Sequence, residues 1–291
     1  MISVLNEVIT VLAFGLAFSM LLFIISVGLS ITMGLMGFAN LAHGSFAMAG
    51  GYITVTLVND KGVSFAVSLV IAFLVVALIS IVFERVLYRH LYRRSEMDQV
   101  LLTIGIVFAS IAAVTFIWGP LPKLIQTPDY LKGSADLVLV TIPKYQAFMI
   151  VAGATIVAAL FYGLERTRIG AQIRAAVDNR RMAESCGINT GRIFTWTFAL
   201  GSGMAALGGG LGIQILGGIN PVFAFEYLVI FLIVVAVGGM GNIRGTFFAA
   251  LVLGIIDFAG KFYFPEGGAF IIYAVTIAVL LIRPQGLFGK A

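Results

Sequence analysis

Charge is scarce in this sequence. Asp, Glu, Lys and Arg together make up 11% of its 291 residues, where an ordinary soluble domain carries about a quarter. That excludes a water-soluble globular domain with a large core. Cysteine is reduced to Cys186 alone, so an intrachain disulfide framework is excluded. Only two histidines occur, His43 and His90, and neither an HExxH nor a CxxC arrangement is present. The nearest approach to a phosphate loop is GIIDFAGKF at 254–262. It misplaces the first glycine by one residue and lacks the Ser or Thr that would bind magnesium. The glycines of GGGLGIQ at 208–214 lie inside an apolar run, against a dinucleotide fingerprint. No catalytic residues, no metal and no cofactor are therefore expected in this chain, nor is nucleic acid among its partners. Transport, conduction and scaffolding remain. Lys and Arg are missing from the first 60 residues, so a cleavable basic leader is not expected and the first apolar run should stay as a span.

What is present is apolar: 60% of residues are hydrophobic, and 34 glycines stand against seven prolines. Small residues at that density suit helices packed closely in a bilayer. The expected fold is all-α, a polytopic membrane helical bundle forming a single integral membrane domain over 1–291. At roughly 20 apolar residues per crossing, spans are expected near 8–31, 36–58, 63–83, 99–118, 145–164, 193–217, 225–240, 245–260 and 269–282. The count is eight to nine, with some of the later, shorter ones tilted or broken.

The basic residues sort onto one side of that pattern. Segments 84–98, 165–192, 241–244 and the C-terminal tail hold 13 of the 18 Lys and Arg, including every arginine. Among them are Arg85, Arg89, Arg93 and Arg94, then Arg244, Arg283 and Lys290. The positive-inside rule puts those segments in the cytoplasm. With nine spans the N-terminus is outside and the C-terminus inside. If 36–58 does not fully cross, the N-terminus moves inside. The longest external segment is then 119–144, in which the alternating DLVLVTI fits a small surface structure and a plain connector is the competing reading.

Within the apolar stretch GLMGFANLAHGSFAMAGGYI at 34–53 lie Asn40, His43 and Ser45. Read as one helix, Gly37, Asn40, His43 with Gly44, Ala47, and Gly50 with Gly51 form a small-and-polar stripe, while Phe38, Leu41, Phe46 and Met48 point elsewhere. Lipid offers no hydrogen bonds, so such residues face a bundle interior or an aqueous path. A path lined by Asn40, His43, Gly44 and Ser45 is one reading; hydrogen bonding to a neighbouring helix is the other. NIRGTFFA at 242–249 weakly echoes NLAHGSFA at 40–47, which brings Asn242 into the same candidate set. Gly201, Ala205 and Gly209, with Gly208 and Gly212, form a small-residue seam for contact within the chain or across a dimer. Gln214 and Glu226 are placed for an external vestibule. Asp257 lies four residues before Lys261, at pairing distance on a helix.

The segment ERTRIGAQIRAAVDNRRMAESCGINTGR, 165–192, spends 28 residues and six arginines on one internal connection. Asp178 or Asn179 can cap a short helix through Arg180–Cys186 that Gly187 ends, and Gln172–Val177 can form another turn with Ile173 and Val177 on one face. A capped, part-apolar element of this kind reads as a docking surface; a topology signal is the plainer alternative.

Here a resemblance becomes specific. The segment is similar to the coupling segment of branched-chain amino-acid ABC-importer permeases, T-x-x-G-x-x-x-R-A-x-x-x-N/D-x-x-x-A-x-x-x-G-I-N. The matching residues are Thr167, Gly170, Arg174, Ala175, Asn179, Ala183, Gly187, Ile188 and Asn189. MGFANLAHGSF resembles the N-terminal signature of the H-type subunit, with Ser45 where that family commonly carries glutamate, and IRPQGLFGK at 282–290 resembles its C-terminus.

The resemblance implies a permease subunit, in a bacterial cytoplasmic (inner) membrane, of a binding-protein-dependent importer for branched-chain or other hydrophobic amino acids, or for urea and short amides. It implies two permease subunits, either an H-type with an M-type partner or a homodimer. It also implies two ATPase subunits carrying ATP-Mg and a periplasmic solute-binding protein. By the same resemblance Arg174 through Gly187 form a coupling helix, with Arg174, Ala175, Asn179, Arg180, Arg181, Ala183 and Gly187 meeting the ATPase. A stand-alone ion-coupled carrier or channel, and a non-transporting scaffold, are the competing classes.

Overall fold

The computed structural model describes residues 2–37, 40–91, 94–137 and 140–289. Arg93, Lys290 and Phe38, which entered the sequence reading, lie outside them, as do Val138 and Leu139 of the alternating run. The chain is mainly helical, with one two-stranded sheet among the described residues.

Helix α1 runs over Ile2–Met36. From 17 to 33 every residue is buried, whichever way its side chain points. A helix apolar all round is a core element, so the first apolar run forms the axis of the bundle rather than a lipid-facing wall. Helix α2 covers His43–Val55 and continues through a π-helical stretch, Thr56–Asp60. All of α2 except Ala49 and Ile53 is buried. The expected span at 36–58 is thus broken near its start: Gly37 turns out of α1 with φ +76° and the next helix begins only at His43. The expected single stripe does not exist as one helical face, because Gly37 and Asn40 precede the helix that carries His43, Gly44, Ala47, Gly50 and Gly51.

Helix α3, Phe65–Phe83, passes through a second π-helical stretch, Glu84–Tyr88, into Arg89–Leu91. Helix α4 spans Glu96–Trp118. Strands β1, Ser134–Leu137, and β2, Val140–Pro143, pair antiparallel with Ser134 opposite Pro143 and Leu137 opposite Val140. The 119–144 segment therefore carries the small surface structure. Helix α5 follows at Lys144–Arg166, then α6 at Arg168–Asp178, α7 at Arg180–Ser185 and α8 at Thr190–Gly212. A single turn, Phe223–Glu226, leads into α9, Leu228–Gly238; α10 is Ile243–Tyr263 and α11 is Gly268–Ile282. Among the described residues, five helices are long and apolar enough to cross a membrane by length and composition: α1, α3 with its extension, α4, α5 and α10.

Helix α8 packs on α1, α2 and α3, while α10 packs along α1. The small-residue seam lies within the chain. A Cβ at Gly209 would run into the backbone of Ala47, one at Gly50 into Ala206, and one at Gly28 into Gly201. Side chains directed away from this core are large and apolar: Val67, Val70, Leu74, Leu78 and Val82 along α3 are all exposed. Their spacing makes one outward stripe, as lipid contact requires.

The 119–144 end is pinned by polar contacts. Lys123 and Ile219 exchange two backbone hydrogen bonds of 2.8 and 2.9 Å. Asn59 donates to the Leu124 carbonyl at 2.8 Å and accepts from the Gln126 amide at 3.0 Å. Near the same end of α10, Lys261 Nζ lies 2.7 Å from Asp257 Oδ2, the expected pair.

The seam makes a direct prediction. Gly209→Ala should destabilise the bundle by about 1–3 kcal/mol through overpacking. Gly163→Ala, on α5 with open space at its Cβ, should be neutral or stabilise by at most about 1 kcal/mol. Thermal unfolding in detergent compares the two; equal effects would remove the seam from the account.

Candidate docking surface and helix-break site

Three successive helices between 165 and 212 each begin on a side-chain cap. The Thr167 hydroxyl accepts from the Gly170 amide at 3.1 Å to start α6. Asn179 Oδ1 accepts from the Met182 amide at 3.0 Å to start α7, and Asn189 Oδ1 accepts from the Arg192 amide at 3.0 Å to start α8. Each bond satisfies one of the amides that a helix start leaves without a partner. Helix α7 ends as Gly187 requires. At φ +81° its amide donates to the Glu184 carbonyl, and the Ile188 amide donates to the Ala183 carbonyl, both at 3.0 Å. This 5→2 and 6→1 pair is a Schellman ending, for which glycine is the natural residue.

The single coupling helix that the resemblance implied from Arg174 through Gly187 is corrected: two helices stand there, as the spacing of the residues predicts. Asn179 adopts φ −155°, ψ 100°, an extended conformation that splits the segment into α6 and α7. The turn expected at Gln172–Val177 is the second half of an 11-residue helix. Of the residues expected to dock, Arg174, Asn179, Arg180, Arg181 and Gly187 are exposed, Ala175 is half-buried and Ala183 is buried. Ala183 thus belongs to the side that holds α7 to the bundle. Arg180 lies with its guanidinium carbon 4.9 Å from the centre of the Phe194 ring, and its Nε donates to Glu184 at 3.1 Å. The Thr190 hydroxyl, and then Arg180, hold the Glu184 carboxyl below the usual carboxylate range. A depressed carboxyl stabilises the folded segment above its ordinary pKa and loses that contribution as pH falls through the lowered value.

Beneath α6 opens a cavity of about 1010 Å³ bordered by Gly34, Gly37, Arg174, Val177, Asn242 and Phe288. Asn242 has two tasks there. Its Oδ1 accepts from the Gly245 amide at 3.0 Å to start α10, and its Nδ2 donates to the Phe288 carbonyl at 2.8 Å. Leu287 donates from its amide to Val237 at 2.7 Å, so the C-terminal segment straps α9 to α10. Glu165 at the end of α5 pairs with Arg244, whose Nε lies 2.7 Å from Glu165 Oε1.

At the break between α1 and α2, Asn40 is fully buried. Its Oδ1 accepts from the Ala42 amide at 3.1 Å and from the Tyr88 hydroxyl at 3.0 Å, and its Nδ2 finds no partner among the described residues. His43 Nε2 lies 2.9 Å from the Ile25 carbonyl oxygen of α1. Ser45 Oγ is buried without a partner among the described residues. Gly44 admits the Ala224 backbone where any Cβ would stand. Asn40, His43, Gly44 and Ser45 therefore gather at one place. Gln214 is apart from them, accepting from the Thr127 hydroxyl at 3.0 Å, and Asn242 borders the cavity under α6.

Two residues escaped the sequence reading. Tyr88 and Glu84 lie in the stretch taken as a loop at 84–98, yet both are buried on the extension of α3. Thr195 on α8 donates to Glu84 Oε2 at 2.8 Å. The available signal was a strict four-residue period, Ala72, Val76, Ser80, Glu84 and Tyr88, all buried. The charge of Arg85 and Arg89 masked it.

Comparison with known proteins places this arrangement. The high-affinity branched-chain amino acid transport system permease protein LivH of Escherichia coli (strain K12) is 28% identical over 280 residues, covering 92% of this chain and 91% of the relative. The corresponding permease BraD of Pseudomonas aeruginosa is 28% identical with the same coverage. A probable branched-chain amino acid transport permease protein LivH of Methanocaldococcus jannaschii is 23% identical, covering 94% and 90%. The family model described as branched-chain amino acid transport system / permease component matches residues 11–280. With nearly its whole length matched, the chain belongs to the family of branched-chain amino acid transport system permease components.

Proposed function

We propose that the chain is the H-type permease subunit of a binding-protein-dependent ABC importer that brings branched-chain or other hydrophobic amino acids, or related amides and urea, into the cytoplasm. It is a multi-pass membrane transport subunit, not an enzyme. The observation that carries the docking claim is the pair α6 and α7: capped at both starts, held to the bundle by Ala183 and Ile173, and presenting Arg174, Arg180 and Arg181 outward. An ion-coupled carrier relies on intramembrane carboxylates. Asp257 is already paired with Lys261, and that reading leaves the docking segment without a purpose.

The proposal extends to the topology and the partners. Residues 1–291 make one membrane domain with nine crossings, the helices α1, α2, α3, α4, α5, α8, α9, α10 and α11 running alternately between the hairpin end and the arginine-rich end. The arginine-rich end, with the 165–192 coupling segment and the C-terminus, faces the cytoplasm by the positive-inside rule. The 119–144 segment meets the periplasmic binding protein. Two ATPase subunits carrying ATP-Mg dock on α6 and α7, and a second permease, M-type or a copy of this chain, completes the path. Nucleotide-driven closure of the ATPases rocks the bundle between inward-open and outward-open states. Asn40, His43, Gly44 and Ser45 border the centre of the path, with Gln214 toward its outer and Asn242 toward its inner mouth. The unpartnered Asn40 Nδ2 and Ser45 Oγ support that placement.

Purification from the native host in mild detergent should yield an ATPase subunit with the chain, and proteoliposomes of the complex should take up leucine, isoleucine or valine only with ATP inside. Isolation of the chain alone, with uptake unaffected by ATP, overturns the proposal. Cys186 is the one cysteine and is exposed, so maleimide should label the free chain and be strongly slowed in the complex.

Arg174→Ala and Gly187→Ala should leave insertion intact but uncouple hydrolysis from uptake. The second costs about 1–2 kcal/mol locally, since alanine disfavours the left-handed backbone. Unchanged transport in both removes the docking claim. His43→Gln should lower uptake more than complex assembly; loss of assembly alone returns His43 to a packing role against Ile25.

A further inference from the structure

The π-helical stretch Glu84–Tyr88 touches the break at the start of α2 directly, through the buried Tyr88, and reaches α7 only by way of Thr195 and Phe194 on α8. On one side, Arg180 of α7 stacks on Phe194, and the adjacent Thr195, in the second turn of α8, donates its hydroxyl to Glu84 Oε2 at 2.8 Å. On the other side, Tyr88, one turn after Glu84, donates its hydroxyl to Asn40 Oδ1 at 3.0 Å, and its ring lies 4.9 Å from that of Phe198 on α8. Glu84, Tyr88 and Asn40 are each almost completely buried. A π-helical turn holds one residue more than the α-helix it interrupts, and such turns concentrate at functional sites. Returning Glu84–Tyr88 to α-geometry would rotate Tyr88 by about 100° relative to Glu84, enough to take its hydroxyl off Asn40. An α-helical alternative to this π-helical turn would supply the two discrete arrangements that a coupling element must have.

We infer that Thr195, Glu84 and Tyr88 are positioning residues that transmit displacement of the docking helix α7 to the α1–α2 break at Asn40, with the π-helical turn as the element that switches. The inference rests on the importer reading above. It deepens that reading by naming how the docking surface reaches the centre of the bundle, which the docking contacts alone do not supply.

The test uses the intact complex in proteoliposomes, scored for amino-acid uptake and for ATP hydrolysis in the same vesicles. Thr195→Val removes the donor while keeping shape, and Tyr88→Phe removes the hydroxyl while keeping the ring against Phe198. Each should lower uptake per ATP hydrolysed by roughly 3- to 30-fold, at unchanged basal hydrolysis and unchanged melting temperature. Thr195→Ser should restore it. The double variant should be no worse than the poorer single one, because both cut one chain of contacts. Unchanged uptake per ATP in both single variants overturns the inference, as does a loss that tracks melting temperature and is not rescued by Thr195→Ser. Fully additive losses also overturn it. If the wild-type complex shows no ATP-dependent uptake at all, it is the importer reading that fails; coupled wild type with coupled variants removes the relay alone.

Discussion

Backbone-to-backbone contact of α8 with α1 and α2 is the constraint on which the rest of this structure depends. Lipid is as apolar as a leucine side chain, so burial in a bilayer gives helices little reason to associate; close van der Waals contact and hydrogen bonds must do it. Gly209 on Ala47, Ala206 on Gly50, and Gly201 on Gly28 bring three helices to contact at their main chains. That proximity holds α2 inside protein on nearly every side. Only there can a helix start after a break, because a broken helix in lipid would leave backbone groups unsatisfied.

Breaks then become usable. Both occur with the same chemistry: a glycine at positive φ, then an asparagine whose side chain accepts from an amide of the following segment. At the first, Gly37 precedes Asn40, which accepts from Ala42; at the second, Gly241 precedes Asn242, which accepts from Gly245. The two asparagines differ in one respect: Asn242 caps the start of α10, whereas Asn40 accepts from Ala42, the residue before α2.

How much of this was legible in the sequence follows from the range of the interactions. Local chemistry read well: Asn179 as a cap, Gly187 as the terminating glycine and Asp257 beside Lys261 are contacts within a few residues. The helical membrane class read well because composition alone excludes the alternatives. The stretch from 34 to 53 read poorly as one helix, since its small residues suit helical packing and its break shows only in the positive φ of Gly37. The division of the 165–192 segment at Asp178 or Asn179 was legible in the same local chemistry, whereas the resemblance alone implied one helix there. Glu84 and Tyr88 were missed outright. Their partners, Thr195 and Asn40, are 111 and 48 residues away, and no local pattern encodes such pairings.

Helix α6 meets the bundle, through the Val177 side chain, where α1 and the start of α10 touch main chain to main chain. Gly34 of α1 and Gly241 before α10 approach so closely that a Cβ at Gly34 would lie 2.6 Å from the Gly241 Cα, and the Gly241 amide donates to the Ser30 carbonyl at 3.1 Å. A Cβ on either glycine would also come within 3.2–3.4 Å of Val177 Cγ1 on α6. The Val177 side chain of α6 is therefore lodged against the junction of the two helices whose interruptions border the same cavity. A packed contact of this kind has no slack, because interiors are dense and yield by switching arrangement rather than by stretching. A push on α6 must then either move both helix ends together or part them. The first preserves the Gly241–Ser30 bond and the second breaks it, which makes that backbone bond the point at which rigid rocking and local opening differ.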